Sequence, residues 1–190
     1  MKMDGIIDRF VARLSLEGTY FERILSVPWI ESFEERLPEK LPRSFASLVK
    51  RYRFPSFVFG GVNFFSNLGT GGDEELVRAV FRDPYLAGTL SSCFIQIGRP
   101  DTGSYDLVSF DACHRRGGEY PMVVLDHEQL LQHNKVRLIK VVAQTFQNSR
   151  GRPTSAKIRL CDRHSFRGGY SFVSWAREDR HDRGTAIAES

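Results

Sequence analysis

Asp126, His127 and Glu128 stand in a row behind the apolar run V-V-L at 123–125 and ahead of Leu130 and Leu131. These side-chain types ligate metals, move protons and orient nucleophiles. If a strand continues through them, Asp126 and Glu128 share one face and His127 takes the other. If a helix begins here, Asp126 is its N-cap and Glu128 sits in the first turn, where the helix dipole favours an acid. His133 lies six residues past His127, which is not the i,i+4 spacing of a His-Glu-x-x-His zinc helix. Asp106 and Asp111 are the carboxylates that could join Asp126 across a sheet. A metal-assisted or acid–base site is therefore one reading, and helix capping within a hydrogen-bond cluster is the expected one.

Two further motifs lead to turns. Asp101-Thr102-Gly103-Ser104 matches the signature loop of aspartic peptidases, in which two carboxylates share one proton. The chain has one such loop, and Pro100 precedes it where those enzymes place an apolar strand. Pro-Asp-Thr-Gly between strands is ordinary turn chemistry. Gly69-Thr70-Gly71-Gly72 lacks the Gly-Lys-Ser/Thr of a phosphate loop, and Asp73, Glu74 and Glu75 behind it would repel a phosphate. A flexible loop is expected there. No catalytic motif among these is complete, and none of them calls for a cofactor.

The elements that position these residues follow from periodicity. Ile6, Ile7, Phe10, Val11 and Leu14 predict an amphipathic helix over 4–16. Residues 19–42 read as irregular, broken by Pro28, Pro38 and Pro42, with Glu31, Glu34, Glu35 and Glu39 forming an acidic cluster. Pro42 suits the first turn of a second helix carrying Phe45, Leu48, Val49 and Tyr52, which Pro55 ends. Residues 57–65 suit a strand, or a hairpin with a bulge, around Gly60-Gly61. A helix with Leu76, Val77, Val80 and Phe81 comes next, then a short helical piece after Asp83-Pro84. Residues 93–98, 105–111 and 120–126 read as three strands joined by turn-rich segments, an antiparallel meander. A helical turn over 127–133 and another strand or helix over 136–146 follow. Helices before and after a meander point to an α+β fold: an antiparallel sheet of the meander plus additional strands, flanked by helices, in one domain over 1–146.

Composition bounds the rest. A chain of 190 residues, 41% hydrophobic and 12% aromatic, can bury a single-domain core. No apolar run nears the ~18 residues of a membrane span, and M-K-M-D-G-I-I-D-R-F has no uninterrupted apolar stretch of a signal peptide. A cytoplasmic location is expected, with no membrane partner. Cys93, Cys113 and Cys161 form no Cys-x-x-Cys pair, which favours buried or free thiols over disulfides or zinc. The net charge is +4, but nine of the 27 Lys and Arg and five of the 23 acids fall from Gln147 onward. That leaves 18 of each sign before it. The body is neutral, and residues 147–190 read as a basic, solvated or poorly ordered tail, or as a frame-shifted extension. Tyr170, Phe172 and Trp175 would be its stacking groups if it bound nucleic acid.

A resemblance adds to this reading. A first helix, then L-P-R-S-F-A-S-L-V, F-G-G-V-N-F-F, I-G-R-P-D-T-G-S-Y-D-L-V-S-F-D, G-E-Y-P-M-V-V-L-D-H-E-Q-L-L and a final A-Q-T-F, in that order, resemble the SUKH superfamily. More narrowly, the chain is similar to bacterial relatives of the fungal cell-wall-assembly regulator (SMI/KNR-type proteins). The likeness covers residues 41–146 and is most specific over 98–128. Leu107 stands where the family pattern has a proline, and nothing after Gln147 resembles it. The resemblance implies a non-enzymatic α+β domain that binds protein, in many bacterial members as an immunity protein sequestering a toxin. An exposed groove between sheet and helices is the expected docking surface, using Trp29, Glu34, Glu35 and Tyr105, with Asp106, Asp126, His127 and Glu128 beside it. The acidic stretch 31–39 would complement a basic toxin face. A metal-assisted enzyme built on Asp126, His127 and Glu128 ranks below this, as does nucleic-acid binding through the tail.

Overall fold

A computed structural model describes residues 3–24, 28–69, 75–82 and 87–146. The expectations placed on Gly71-Gly72, on Asp73 and Glu74, on Asp83-Pro84 and on the segment 147–190 lie outside the described residues.

Helix α1 (Met3–Leu16) buries Ile7, Phe10, Val11 and Leu14 along one stripe, as its spacing predicts. A two-residue strand β1 (Glu22–Arg23) follows. The segment 19–42 is not irregular throughout, because helix α2 (Pro28–Glu35) lies inside it. Pro28 opens that helix instead of breaking it, since a first-turn proline gives up an N–H with no intrahelical partner. Ile30 and Phe33, three residues apart, fix the helix to the core. Helix α3 (Arg43–Arg51) starts directly after Pro42 and sinks Phe45, Leu48 and Val49 completely. It ends one residue before Tyr52, which opens β2 (Tyr52–Arg53) and pairs with β1. Tyr52 Oη and Arg51 Nη2 both donate to Asp8 Oδ1 at 2.6 Å and so tie α1 to the end of α3.

β3 (Phe57–Phe59) and β4 (Val62–Phe64) form a hairpin. Gly60 and Gly61 make its two-residue turn with φ of 60° and 80°, so the glycine pair is the turn itself and not a bulge. Helices α4 (Leu76–Phe81) and α5 (Ala87–Ser91) lead to β5 (Phe94–Pro100) and β6 (Leu107–Asp111). A 3₁₀ turn (Ala112–His114), β7 (Met122–Leu125), α6 (His127–His133) and β8 (Leu138–Ala143) complete the order. The six strands β3 to β8 pair antiparallel in sequence order. The architecture is α+β, with a six-stranded sheet, a two-stranded ribbon and flanking helices.

A bulge does occur, between Gln96 and Gly98 of β5. There the backbones of β4 and β5 come so close that a Cβ on Gly98 would lie 2.3 Å from the Asn63 carbonyl oxygen.

Alternation along the strands divides the sheet into two faces. Val108, Phe110, Met122 and Val124 join α1, α2 and α3 in the main core. Phe94, Leu107, Val123 and Leu125 point the other way and meet Leu130 of α6. The helical face is dominated by aromatic rings. Phe146 sits at its centre, edge-on to Phe10, Phe45 and Phe64 at 5.4–5.6 Å.

Candidate functional site

The junction between β7 and α6 is capped as the sequence predicts. Asp126 is extended (ψ 111°), and its Oδ1 accepts the Gln129 backbone N–H at 3.1 Å, a local N-cap. Its own N–H donates to the Arg137 carbonyl oxygen at 2.9 Å, and Arg137 Nη1 reaches Oδ2 at 3.5 Å. Glu128 is exposed in the first turn, where the helix dipole favours it. Asn134 ends the helix in the left-handed conformation (φ 49°), which asparagine tolerates well.

Register decides which acid meets this junction. Leu107 pairs with Leu125, so Asp106 stands beside Asp126 and His127. Asp111 lies at the far end of β6, where its N–H donates to the Pro121 carbonyl oxygen and its Oδ2 meets His114 Nδ1 at 2.7 Å. Of the two carboxylates proposed to cross the sheet, Asp106 arrives and Asp111 does not.

Asp106 Oδ1 accepts from the His127 backbone N–H at 3.2 Å and from Nδ1 at 2.8 Å. A carboxylate only accepts, so the imidazole carries its proton on Nδ1 in this bond. Ser104 Oγ donates to Asp106 Oδ2 at 2.8 Å and accepts the Asp106 N–H at 3.2 Å, a local serine turn. Burial, the largest single influence on this carboxyl, pushes its pKa upward. The hydrogen bonds from His127 and Ser104, with the nearby His127 charge, outweigh it and hold the group below the usual aspartate value.

One ligand atom each from Asp106, Asp126 and His127 lie within 4.8 Å of one another. Each of these groups already serves the fold: Asp106 holds His127 and Ser104, Asp126 caps α6 and meets Arg137, and the imidazole gives its Nδ1 to Asp106. A cation there would compete with the Arg137 guanidinium for Asp126. Structural locking is the better account of this cluster.

Beside it stands Tyr105, 67% exposed. Its ring centroid is 6.1 Å from that of His127, and the Arg99 guanidinium lies 5.3 Å from its centre. Arg99, Ser104 and Arg137 belong to this site and escape a reading based on residue type. Ser104 alone leaves a local trace, two residues before the acid it serves.

The other residues expected at one docking groove lie elsewhere. Trp29 is half-buried against Phe33, at 5.6 Å between rings. Glu34 is held by Lys50 Nζ at 2.8 Å, and Glu35 is exposed. All three belong to α2 on the helical face, whereas α6 packs on the opposite face. Trp29, Glu34 and Glu35 therefore do not form one groove with the Tyr105–His127 end. Asp101, the aspartate of D-T-G-S, is exposed in the turn between β5 and β6, with its N–H donating to the Gly61 carbonyl oxygen at 3.1 Å.

Among the described residues no helix is long and apolar enough to cross a membrane. No family model, curated protein or solved structure matches the chain.

Proposed function

We propose that the chain is a SUKH-like, non-enzymatic protein-binding domain of the cytoplasm, and that it sequesters a toxin domain as an immunity protein. Two things support the reading: the motif order over residues 41–146 and the exposed aromatic corner at the β6–α6 end. The corner carries it. Tyr105 projects between Arg99 and His127, while Asp106 and Asp126 beneath are committed to hydrogen bonds within the fold. Tyrosine and arginine on a rigid base are the residue types that dominate binding energy at protein interfaces. The aromatic ring supplies contact area at little entropic cost, because its χ angles are few and its neighbours are fixed.

Co-expression with the toxin encoded beside it tests the proposal. A stoichiometric complex and rescued growth are expected. Tyr105→Ala is expected to weaken the complex at least about tenfold and to leave folding stability within ~0.5 kcal/mol, since the ring is solvated in the free protein. Absence of both complex and rescue would refute the function. Wild-type binding by Tyr105→Ala would move the docking face away from this corner.

A further inference from the structure

We propose that Cys93 and Cys113 are a modification site, a dithiol that closes to a disulfide when a hydroperoxide oxidises it. Cys93 directly precedes β5 and is held in the left-handed backbone region (φ 64°), an uncommon state for a residue with a Cβ. Its carbonyl oxygen accepts the Ala112 N–H at 3.0 Å. Phe94 pairs with Asp111, so Ala112 is the residue facing Cys93 across the end of the ladder. Simple strand alternation would send the next side chain, Cys113, to the opposite face. The 3₁₀ turn Ala112–His114 reverses that direction and returns the Cys113 side chain to β5. Its Sγ lies 4.0 Å from the carbonyl oxygen of Ser92, the residue bonded to Cys93, and the Cys93 thiol is close enough to act on it. Both thiols are free, Cys113 exposed and Cys93 half-buried.

The chemistry follows from that exposure. Cys113, as its thiolate, attacks one peroxide oxygen; the O–O bond breaks, the alkoxide takes a proton and leaves as an alcohol, and Cys113 becomes a sulfenic acid. The Cys93 sulfur then attacks the Cys113 sulfur, the S–S bond forms, and water departs with the remaining proton. Each thiol has lost one proton and one electron, and the hydroperoxide, which takes up both protons and both electrons, has become an alcohol and water. Burial, the Cys93 thiol and the carboxylates of Asp111 and Glu39 push the Cys113 thiol up to about 12, and His114 on the same turn is engaged by Asp111. The thiolate is therefore scarce at neutral pH and the closure slow, faster as pH rises. It acts as a clamp for sustained oxidation, tying the start of β5 to the turn that precedes the 116–120 segment.

The full chain carrying Cys161→Ser, treated with tert-butyl hydroperoxide in neutral and in alkaline buffer, provides the test. A mass loss of two hydrogens and a peptide joining Cys93 to Cys113 are expected, formed faster in alkali. A rise in Tm of about 5 °C, reversed by dithiothreitol, should accompany them. Adding Cys113→Ser should abolish all three. Sulfinic acid on Cys113 with Cys93 still a free thiol, or no bridged peptide in alkaline buffer, would overturn the proposal.

Discussion

Helices α3 and α6 both begin against a carboxylate, but they recruit it from very different distances along the chain. Asp126 immediately precedes α6 and reaches back to the Gln129 N–H. At α3 the preceding residue is Pro42, which offers no side-chain cap. Glu119, 75 residues away, supplies it instead: Oε1 accepts the Ser44 N–H at 2.9 Å and Oε2 accepts the Ser44 hydroxyl at 2.5 Å. The Arg43 N–H donates to the Gly118 carbonyl oxygen, and Tyr120 Oη donates to the Lys40 carbonyl oxygen. A local cap can form as soon as its helix does. A remote cap exists only once the β6–β7 connection has docked, so the start of α3 reports on tertiary structure and the start of α6 does not.

That contrast can be broken in three places. Glu119→Ala should cost the most, about 2–3 kcal/mol, because it removes the shared acceptor of the N–H and hydroxyl of the buried Ser44. Urea denaturation measures it, and a loss below ~0.5 kcal/mol would mean that α3 does not need its distant cap. Asp126→Ala should cost about 1 kcal/mol, with Asn at the same position recovering most of it. If Asp126 proved costlier than Glu119, the ranking of remote over local caps would fall. The smallest effect concerns Asp106. Its folded pKa is depressed, so its contribution is fully present above the unfolded value near ~3.9 and is lost as pH falls through the lower folded value. Stability followed into acid should decline through that window, and Asp106→Asn should flatten that part of the decline.

The same distinction decides what could be read from the residues beforehand. The meander, the amphipathic stripe of α1 and the cap at Asp126 all rest on neighbours within four residues or on strict alternation, and these are present in the one-dimensional text. Helix α2 was hidden because three prolines outweigh an eight-residue helix in any local reading, although Ile30 and Phe33 hold the spacing that buries it. Asp106 and Asp111 look equivalent because they bracket the strand next to Asp126, and the Leu107–Leu125 register separates them. Arg99 carries no local mark of its place beside Tyr105, since the β5–β6 turn creates the contact. Nor does Glu119 advertise a partner at Ser44.

Gly98 makes a contribution that belongs to the order of events in folding. Each strand from β4 to β8 pairs with the one before it in the chain, so most of the sheet closes over short loops. The joint between β4 and β5 is different, because α4 and α5 lie between them. Assembly thus divides into a hairpin, β3–β4, and a four-stranded unit, β5–β8, each able to form from nearby residues. Their union closes the longest loop in the sheet, and it occurs where Gly98 backs onto the Asn63 carbonyl. A side chain at that point would press on the β4 backbone and hold the two units apart.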